Sequence, residues 1–278
     1  MVKIIDAFIF YNEIELLKYR LEILYLYVDY FIIVESSHTF MGYEKKSYYL
    51  ENKELFTKYE DKIIHIFIKD FPFIQPNVNI YEAHQWYNER YQRNEMKRGI
   101  DKLLNEEKIN NEDYLIFSDI DEIVDPERLK EIKYTQNLNK IKISKFEQDL
   151  YYYNLRTKYC SKWYRVKILT FEKFKELYEI YGNATIENIR NEIVVDDVIV
   201  KGGWHLSFFG NNEFIQNKIK NFSHQELNNS FFTNEEYIQK QINEQSDLFS
   251  RNITFYKINI HENDYLPPFY KTLLHHFL

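Results

Sequence analysis

The chain has 278 residues, enough for one large domain or two small ones, and 45% of them are hydrophobic, as in ordinary globular proteins. Its 43 acidic residues outnumber the 36 basic ones, and the formal net charge of −7 gives no general attraction to nucleic acid or anionic lipid. We therefore expect no nucleic-acid partner. The one cysteine, Cys160, cannot form an internal disulfide.

The N-terminal residues enter a strand-like pattern at once, without the basic segment, long apolar segment and cleavage site of a signal peptide. The longest apolar runs are far shorter than the ~20 residues that a transmembrane helix needs. From the sequence alone we expect a soluble protein with a cytoplasmic location.

The first half of the chain predicts a parallel α/β unit. Apolar runs predict four strands, at residues 3–10, 30–34, 62–68 and 114–117. Helical spacing of apolar residues predicts helices at residues 12–25 and 82–104, and residues 70–79 form a polar segment marked by proline. Strand, helix and strand in this order indicate a parallel sheet, whose ligand crevice lies beyond the carboxyl ends of the strands.

The second half is predicted to extend the sheet. Residues 140–146 and 163–170 alternate as in strands of an antiparallel or mixed extension. A glycine-marked segment at residues 201–210 precedes helical patterns at residues 211–220 and 233–248. No internal repeat or linker interrupts the chain. The fold class predicted is a single α/β domain with a mixed, mainly parallel sheet, flanking helices and a helical C-terminal part.

The segment YLIFSDIDEIVDP, residues 114–126, carries an unusual density of acidic side chains: Asp119, Asp121, Glu122 and Asp125. Neighbouring carboxylates repel one another, and either raised pKa values or a bound cation relieves the repulsion. Asp119 and Asp121 can reach one ion, and hard oxygen ligands favour Mg²⁺ or Mn²⁺, which proteins commonly share with substrate phosphates. The cluster indicates a diphosphate substrate. The alternative is an acidic loop that caps a helix at Pro126 without a metal.

Five ordered blocks carry a resemblance to a known family: FYNEIELLKYRLEILYLYVDYFIIVESSHTFMGYEKKSYYLENKELFTKYEDKIIHI, WYNERYQRN, LIFSDIDEI, GGWHLSFFG and KIKNFSHQE. They cover most of residues 8–226, and the chain resembles glycosyltransferase family 17. The resemblance implies a GT-A-like (Rossmann-like) fold and transfer of N-acetylglucosamine from UDP-N-acetylglucosamine to a glycan acceptor, with inversion. It implies a nucleotide-sugar-binding half, residues 1–126, and an acceptor-binding half with the C-terminal helices, residues 127–278.

The resemblance also implies roles for the acidic cluster. A divalent ion, Mn²⁺ or Mg²⁺, bridges the two phosphates of the leaving group and stabilises the charge that develops there. Asp119 and Asp121 are the predicted ligands, and His205 is the predicted third ligand. His224 is a second candidate, and a hydrogen-bonded core histidine is the alternative for His205.

The residues implied in donor binding are six: Asn12, Glu13, Glu35, Arg93, Asn94 and Trp204. Glu13 and Glu35 follow the first two strands, where a carboxylate can accept from the uracil or the ribose. The guanidinium of Arg93 suits a phosphate or the Asp-x-Asp carboxylates. Ordinary structural roles remain open: Asn12 and Glu13 can begin a helix, Arg93 can pair with Glu89, and a buried Trp204 can belong to the core.

Inversion requires a general base for the attacking hydroxyl. The candidates are Glu147, Asp149, Glu122 and the pair Asp196 and Asp197. Glu147 and Asp149 are preferred, because three tyrosines that can stack on an acceptor sugar follow them at residues 151–153.

Two other classes of protein fit part of the pattern. An aspartate-nucleophile phosphatase also has a hydrophobic strand that ends in Asp-x-Asp, but its motif lies near the N-terminus and carries Thr or Val where Ile123 stands. A non-catalytic carbohydrate-binding protein accounts for the 18% aromatic content but leaves the acidic cluster without a role.

Overall fold

The computed structural model describes residues 2–135 and 141–278. The strands in these residues are β1 Ile4–Ile9, β2 Tyr30–Ser36, β3 Ile63–Ile68, β4 Tyr114–Asp119, β5 Glu122–Val124, β6 Ile143–Tyr152, β7 Thr157–Trp163, β8 Lys167–Thr170, β9 Val198–Ser207 and β10 Phe255–Lys257. The helices are α1 Ile14–Leu24, α2 Tyr48–Glu51, α3 His84–Asn94, α4 Met96–Asn105, α5 Pro126–Tyr134, α6 Phe171–Tyr181, α7 Thr185–Asn191, α8 Asn212–Asn221, α9 Glu235–Glu244 and α10 Tyr270–Leu273.

The N-terminal half of the sheet is parallel, in the order β3, β2, β1, β4. Every residue of β1 is buried, as expected for a strand that is covered on both faces. Helix α1 packs on one face of the sheet through Leu17 and Leu21, and α4 packs on the other through Met96 and Ile100. The predicted parallel unit is confirmed.

The remaining strands extend this sheet. Strand β8 pairs antiparallel with β4, and β6 and β7 continue in antiparallel order; β9 pairs parallel with β6 and antiparallel with β5. The predicted α/β fold with a mixed sheet, flanking helices and a helical C-terminal part is thus confirmed. The segment predicted as one strand at residues 163–170 instead contains the end of β7 and all of β8. Lys140, the predicted start of the strand at residues 140–146, lies outside the described residues.

The helix predicted at residues 82–104 is divided into α3 and α4. Glu95 has φ −71° and ψ −5°, which interrupts the helical geometry between them. Helix α3 packs against α7, and α4 packs against β2 and β3. The interruption separates α3, which contacts α7, from α4, which contacts β3.

Membrane-spanning helices are not found in the described residues, since none of the helices there combines sufficient length with sufficient apolar character.

Candidate active site

A large cavity lies at the carboxyl ends of the parallel strands β1, β2 and β4. Its volume is about 830 Å³, which is in the range of small-molecule sites. Both halves of the chain line it: Tyr11 follows β1, Ser36 ends β2, Asp121 follows β4, His205 lies in β9 and Lys218 lies in α8. This is the place in which the strand–helix–strand pattern predicts a ligand crevice.

Arg20 of α1 forms hydrogen bonds with the backbone of the acidic loop between β4 and β5. Arg20 is completely buried, and its guanidinium forms two hydrogen bonds with the carboxylate of Asp6 in β1, at 2.8 and 2.6 Å. Its other branch donates to three backbone carbonyl groups of the loop: Asp119 (2.9 Å), Ile120 (3.2 Å) and Glu122 (3.0 Å). Because one guanidinium satisfies all three carbonyl groups, the loop backbone is fixed in position.

Asp121 faces the cavity, and its carboxylate lies beside the side chains of Lys218 and His205. Its Oδ2 accepts a hydrogen bond from Nζ of Lys218 at 2.9 Å, and its Oδ1 lies 3.6 Å from Nε2 of His205. Burial disfavours the carboxylate, but the charges of Lys218 and His205 outweigh burial and hold the pKa of Asp121 well below its usual range. The ring of Trp163 packs against His205 at 4.6 Å and helps to fix its position.

Asp119 and Glu122 are engaged by arginines. Arg190 of α7 donates to both carboxylate oxygens of Glu122, each at 2.5 Å, and to Oδ2 of Asp119 at 2.8 Å. Arg93 of α3 lies 3.3 Å from Asp119. Glu122 also accepts a hydrogen bond from Nε1 of Trp163 at 2.6 Å. Burial raises the pKa of Glu122, but the charge of Arg190 outweighs burial and lowers it. Both oxygens of Glu122 are therefore occupied, which favours a positioning role over that of a general base.

The repulsion within the acidic cluster is thus relieved by cationic side chains: Arg93, Arg190 and Lys218. In residues 2–135 and 141–278, no three side chains of His, Cys, Asp or Glu are grouped closely enough to hold a metal ion by themselves. Mg²⁺ and Mn²⁺ are commonly bound by one or two protein ligands together with substrate phosphates, so a set of two ligands suffices.

Asp121 and His205 are the pair that fits such an ion. Their facing atoms lie 3.6 Å apart at the cavity surface, and Nδ1 of His205 is buried without a hydrogen-bond partner among the described residues. With a divalent cation bound, a neutral imidazole that carries its proton on Nδ1 would offer the lone pair of Nε2 as a ligand, and the carboxylate of Asp121 would be the second ligand. Asp119 is oriented towards Arg93 and Arg190 instead.

The structure does not bring the preferred general bases, Glu147 and Asp149, to the cavity. Successive side chains of a strand point to opposite faces, and Leu150 and Tyr152 occupy the cavity face of β6. Asp149 lies on the other face, where it forms ion pairs with two lysines: Lys158 (2.6 Å) and Lys162 (2.5 Å). One of the three tyrosines, Tyr152, therefore lines the cavity.

Two of the six residues implied in donor binding, Glu13 and Arg93, line the cavity. The other four do not: Asn12, Glu35, Asn94 and Trp204. Trp204 alternates with His205 along β9, so its ring lies in the core at 2% exposure. Glu35 is completely buried and accepts hydrogen bonds from Lys45 and Ser47, and Asn94 accepts one from the backbone N–H of Glu187. These contacts are those of structural residues.

The remaining candidates are divided between the cavity and the surface. His224 lines the cavity, where its Nδ1 lies 2.7 Å from Oε1 of Glu226 and its ring meets Trp86 edge to face at 4.6 Å. Asp196 and Asp197 are exposed and do not line it. The structure therefore does not bring this acidic pair to the Asp-x-Asp loop.

Three residues that shape the site carry no prediction from the sequence: Arg20, Arg190 and Lys218. Lys218 is the first residue of the KIKNFSHQE block, so the resemblance contains its position without a role. The contacts of Arg190 and Arg20 with the acidic loop join residues that are 68 to 102 positions apart in sequence. No local pattern marks them.

The parallel strand order, with a polar cavity at the strand ends, is typical of α/β enzymes that bind nucleotides. The chain belongs to glycosyltransferase family 17, since the model of that family matches residues 1–258. It is therefore a glycosyltransferase, as the resemblance implies, and the phosphatase and carbohydrate-binding alternatives are not supported.

Similar solved structures include 4-diphosphocytidyl-2C-methyl-D-erythritol synthase, with 12% identity and a TM-score of 0.41 over 73% of this chain and 90% of that chain. Another is the inositol-1-phosphate CTP transferase from T. maritima, with 13% identity and a TM-score of 0.36 over 75% and 90% of the two chains. Both TM-scores are below 0.5, so neither similarity bears on the chemistry of this chain. No curated protein matches the sequence significantly.

Proposed function

We propose that this glycosyltransferase moves N-acetylglucosamine from UDP-N-acetylglucosamine to a glycan acceptor, with inversion at the anomeric carbon and with dependence on Mn²⁺ or Mg²⁺. The observation that carries the proposal is the meeting of Asp121, His205 and Lys218 in the cavity at the carboxyl ends of the parallel strands. The choice of donor sugar and the inversion rest on the family resemblance.

The donor occupies the side of the cavity that is formed by the first two strands. Tyr11 and Ser36 line this side at the ends of β1 and β2, where open α/β sheets bind nucleosides. The diphosphate then lies towards Asp121 and His205, which would hold the divalent cation. That cation, when bound, neutralises charge that develops on the leaving diphosphate.

The acceptor occupies the side formed largely by the second half of the chain. Aromatic rings line this side: Tyr152, Phe208, Phe222 and Phe249, with Trp86 from α3. Flat apolar rings suit the apolar faces of a sugar, and the polar groups of the Asp-x-Asp loop lie beside them. The cavity thus offers one wall for a nucleotide and another for a glycan.

A base for the acceptor hydroxyl is available in His224. Most carboxylates that line the cavity are paired with Arg or Lys; in the described residues, Glu192 and the pair of His224 and Glu226 lack such a partner. Hydrogen bonding to Glu226 favours the proton on Nδ1 of His224, so Nε2 is left to accept a proton. His224 is therefore the base in this proposal.

Replacing His224 by Asn is expected to lower kcat by about 100-fold, because general-base catalysis is worth about 10² to 10⁴ in rate. The KM for the donor should stay within about twofold. Steady-state kinetics at varied donor concentration measures both constants. Glu192→Gln is the matched control and should keep full activity; a large loss in Glu192→Gln with little loss in His224→Asn would move the base to Glu192.

The proposed function is tested by incubating the protein with Mn²⁺, oligosaccharides that contain mannose or N-acetylglucosamine, and either UDP-N-acetylglucosamine or, in parallel reactions, another nucleotide sugar. Proton NMR follows the consumption of the α-linked donor and the configuration of the new linkage. Release of UDP with a β-linked product is the expected result. An α-linked product would contradict inversion, and consumption of only another nucleotide sugar would contradict the donor.

A further inference from the structure

Lys218 supplies a fixed positive charge in the cavity. It lies in the last turn of α8, whose neighbouring Ile215 and Ile219 are completely buried. The side chain of Asn217 accepts a hydrogen bond from the hydroxyl of Tyr11 at 2.8 Å, which ties α8 to the chain after β1. The position of Lys218 relative to the ends of the parallel strands is thereby set before any ligand binds.

The ammonium of Lys218 is only partly satisfied by the protein. A lysine carries three N–H donors, and Lys218 uses one of them on Oδ2 of Asp121 at 2.9 Å. Oε1 of Glu13 lies 3.9 Å away, which is beyond hydrogen-bonding distance. The side chain is 20% exposed and lines the cavity. Donors thus remain for an anionic ligand in that space.

Asp121 has two competing uses. It is the carboxylate that fits a divalent cation together with His205, and it is also the acceptor of the Lys218 hydrogen bond. The ammonium of Lys218 neutralises Asp121 when no metal is present, and it therefore opposes binding of a second cation there. A diphosphate that accepts a hydrogen bond from Lys218 weakens the ion pair between Lys218 and Asp121. Asp121 then becomes available to the divalent cation.

We infer that Lys218 binds the donor diphosphate directly, as a cation carried by the protein, and that it competes with the divalent metal for Asp121 until the nucleotide arrives. The inference rests on the proposed function, in which the cavity holds a nucleoside diphosphate. It predicts that UDP binding keeps a component that needs no metal. It also predicts opposite effects on nucleotide and metal when the charge at position 218 is removed.

The experiment uses calorimetric titration with UDP in excess EDTA and electron paramagnetic resonance of free Mn²⁺ without nucleotide. Lys218→Gln is expected to weaken UDP binding in EDTA by about 10- to 100-fold, the effect of losing a hydrogen bond to a charged group. The same variant is expected to bind Mn²⁺ alone more tightly than the wild type. Lys220→Met, on an exposed position of the same helix, is the matched control and should change neither.

Each outcome bears on the inference. A merely structural role for Lys218 predicts that UDP and Mn²⁺ binding weaken together, and this result would overturn it. UDP binding by the wild type only when Mn²⁺ is present would also overturn it, with the proposed function intact. No UDP binding under either condition would contradict the proposed function and the inference together. Lys218→Met serves as a second neutral variant if Lys218→Gln does not fold.

Discussion

Replacing Arg20 by Met is expected to lower the free energy of unfolding by about 3–5 kcal/mol, the usual cost of removing one partner from a buried ion pair. Arg20 and Asp6 are both 0% exposed, so the variant leaves the Asp6 carboxylate buried without its partner. Three carbonyl groups of the acidic loop lose their donor at the same time. Urea denaturation of the two proteins measures the difference.

The control for Arg20 is Lys18→Met in the same helix. Lys18 is 39% exposed and pairs only with Glu15 among the described residues, so its loss should cost no more than about 0.5 kcal/mol. Combining Arg20→Met with Asp6→Leu should cost less than the sum of the single changes, because the double variant leaves no unpaired buried charge. Additive losses would show that the pair is not coupled as described.

The Arg20 variant links stability to function. The loop that Arg20 holds carries Asp121, so the fraction of the Arg20→Met variant that folds should also bind the donor more weakly. Full donor affinity in a strongly destabilised Arg20→Met protein would mean that the loop keeps its position without the guanidinium. That result would contradict the role assigned to Arg20 in the site.

Replacing Asp121 by Asn is expected to lower the turnover of the donor by about 10³-fold, the upper range for loss of one preorganised electrostatic group. The amide keeps the shape of the side chain but removes the charge that balances Lys218 and fits a cation beside His205. A fall in Tm is also expected, because Asp121 is buried and its loss leaves the ammonium of Lys218 without its acceptor, so turnover is compared below the transition of the variant. Release of UDP measures turnover, and thermal unfolding checks the fold.

Asp196→Asn provides the control for Asp121. Asp196 is exposed and does not line the cavity, and it belongs to the acidic pair that the sequence offers as a candidate general base. The variant should keep full activity. A comparable loss of activity in both variants, or none in Asp121→Asn, would remove Asp121 from the centre of the site.

The sequence predicts the parallel half of the fold well, because strands that are buried on both faces appear in a sequence as continuous apolar runs. Strands β1, β2 and β4 follow this rule, helix α1 follows from the helical spacing of its apolar residues, and the acidic loop is placed correctly at the end of β4. The long helix is predicted without its interruption at Glu95. Backbone geometry at one residue leaves no mark in the apolar pattern.

The faces of β6 and β9 are harder to predict. The choice between Asp149 and Leu150, or between Trp204 and His205, depends on a shift of one residue, which moves a side chain to the other face. The pairing of β6 with β9 changes register between Phe146 and Gln148, so alternation counted from one end of the strand fails at the other. Only the folded sheet shows which residues face the cavity.

The cations that balance the acidic loop are beyond prediction for a related reason. Density of charge in the segment at residues 114–126 indicates that a cation is needed, but not whether a metal or a side chain supplies it. Arg190 and Lys218 come from α7 and α8, which follow the loop by many residues. Only the tertiary structure shows that Arg190 and Lys218 form the ion pairs with the acidic loop.

We propose that the cavity at the ends of the parallel strands is a donor site for a nucleotide sugar. The most direct test is thermal unfolding of the wild type with UDP-, GDP- and CMP-sugars, each with Mn²⁺ and with EDTA, because a ligand that binds only the folded state raises the Tm. We expect UDP-N-acetylglucosamine with Mn²⁺ to give the largest rise, and we expect Asp121→Asn to abolish most of it. No rise with any nucleotide sugar, or an equal rise in Asp121→Asn, would contradict the claim.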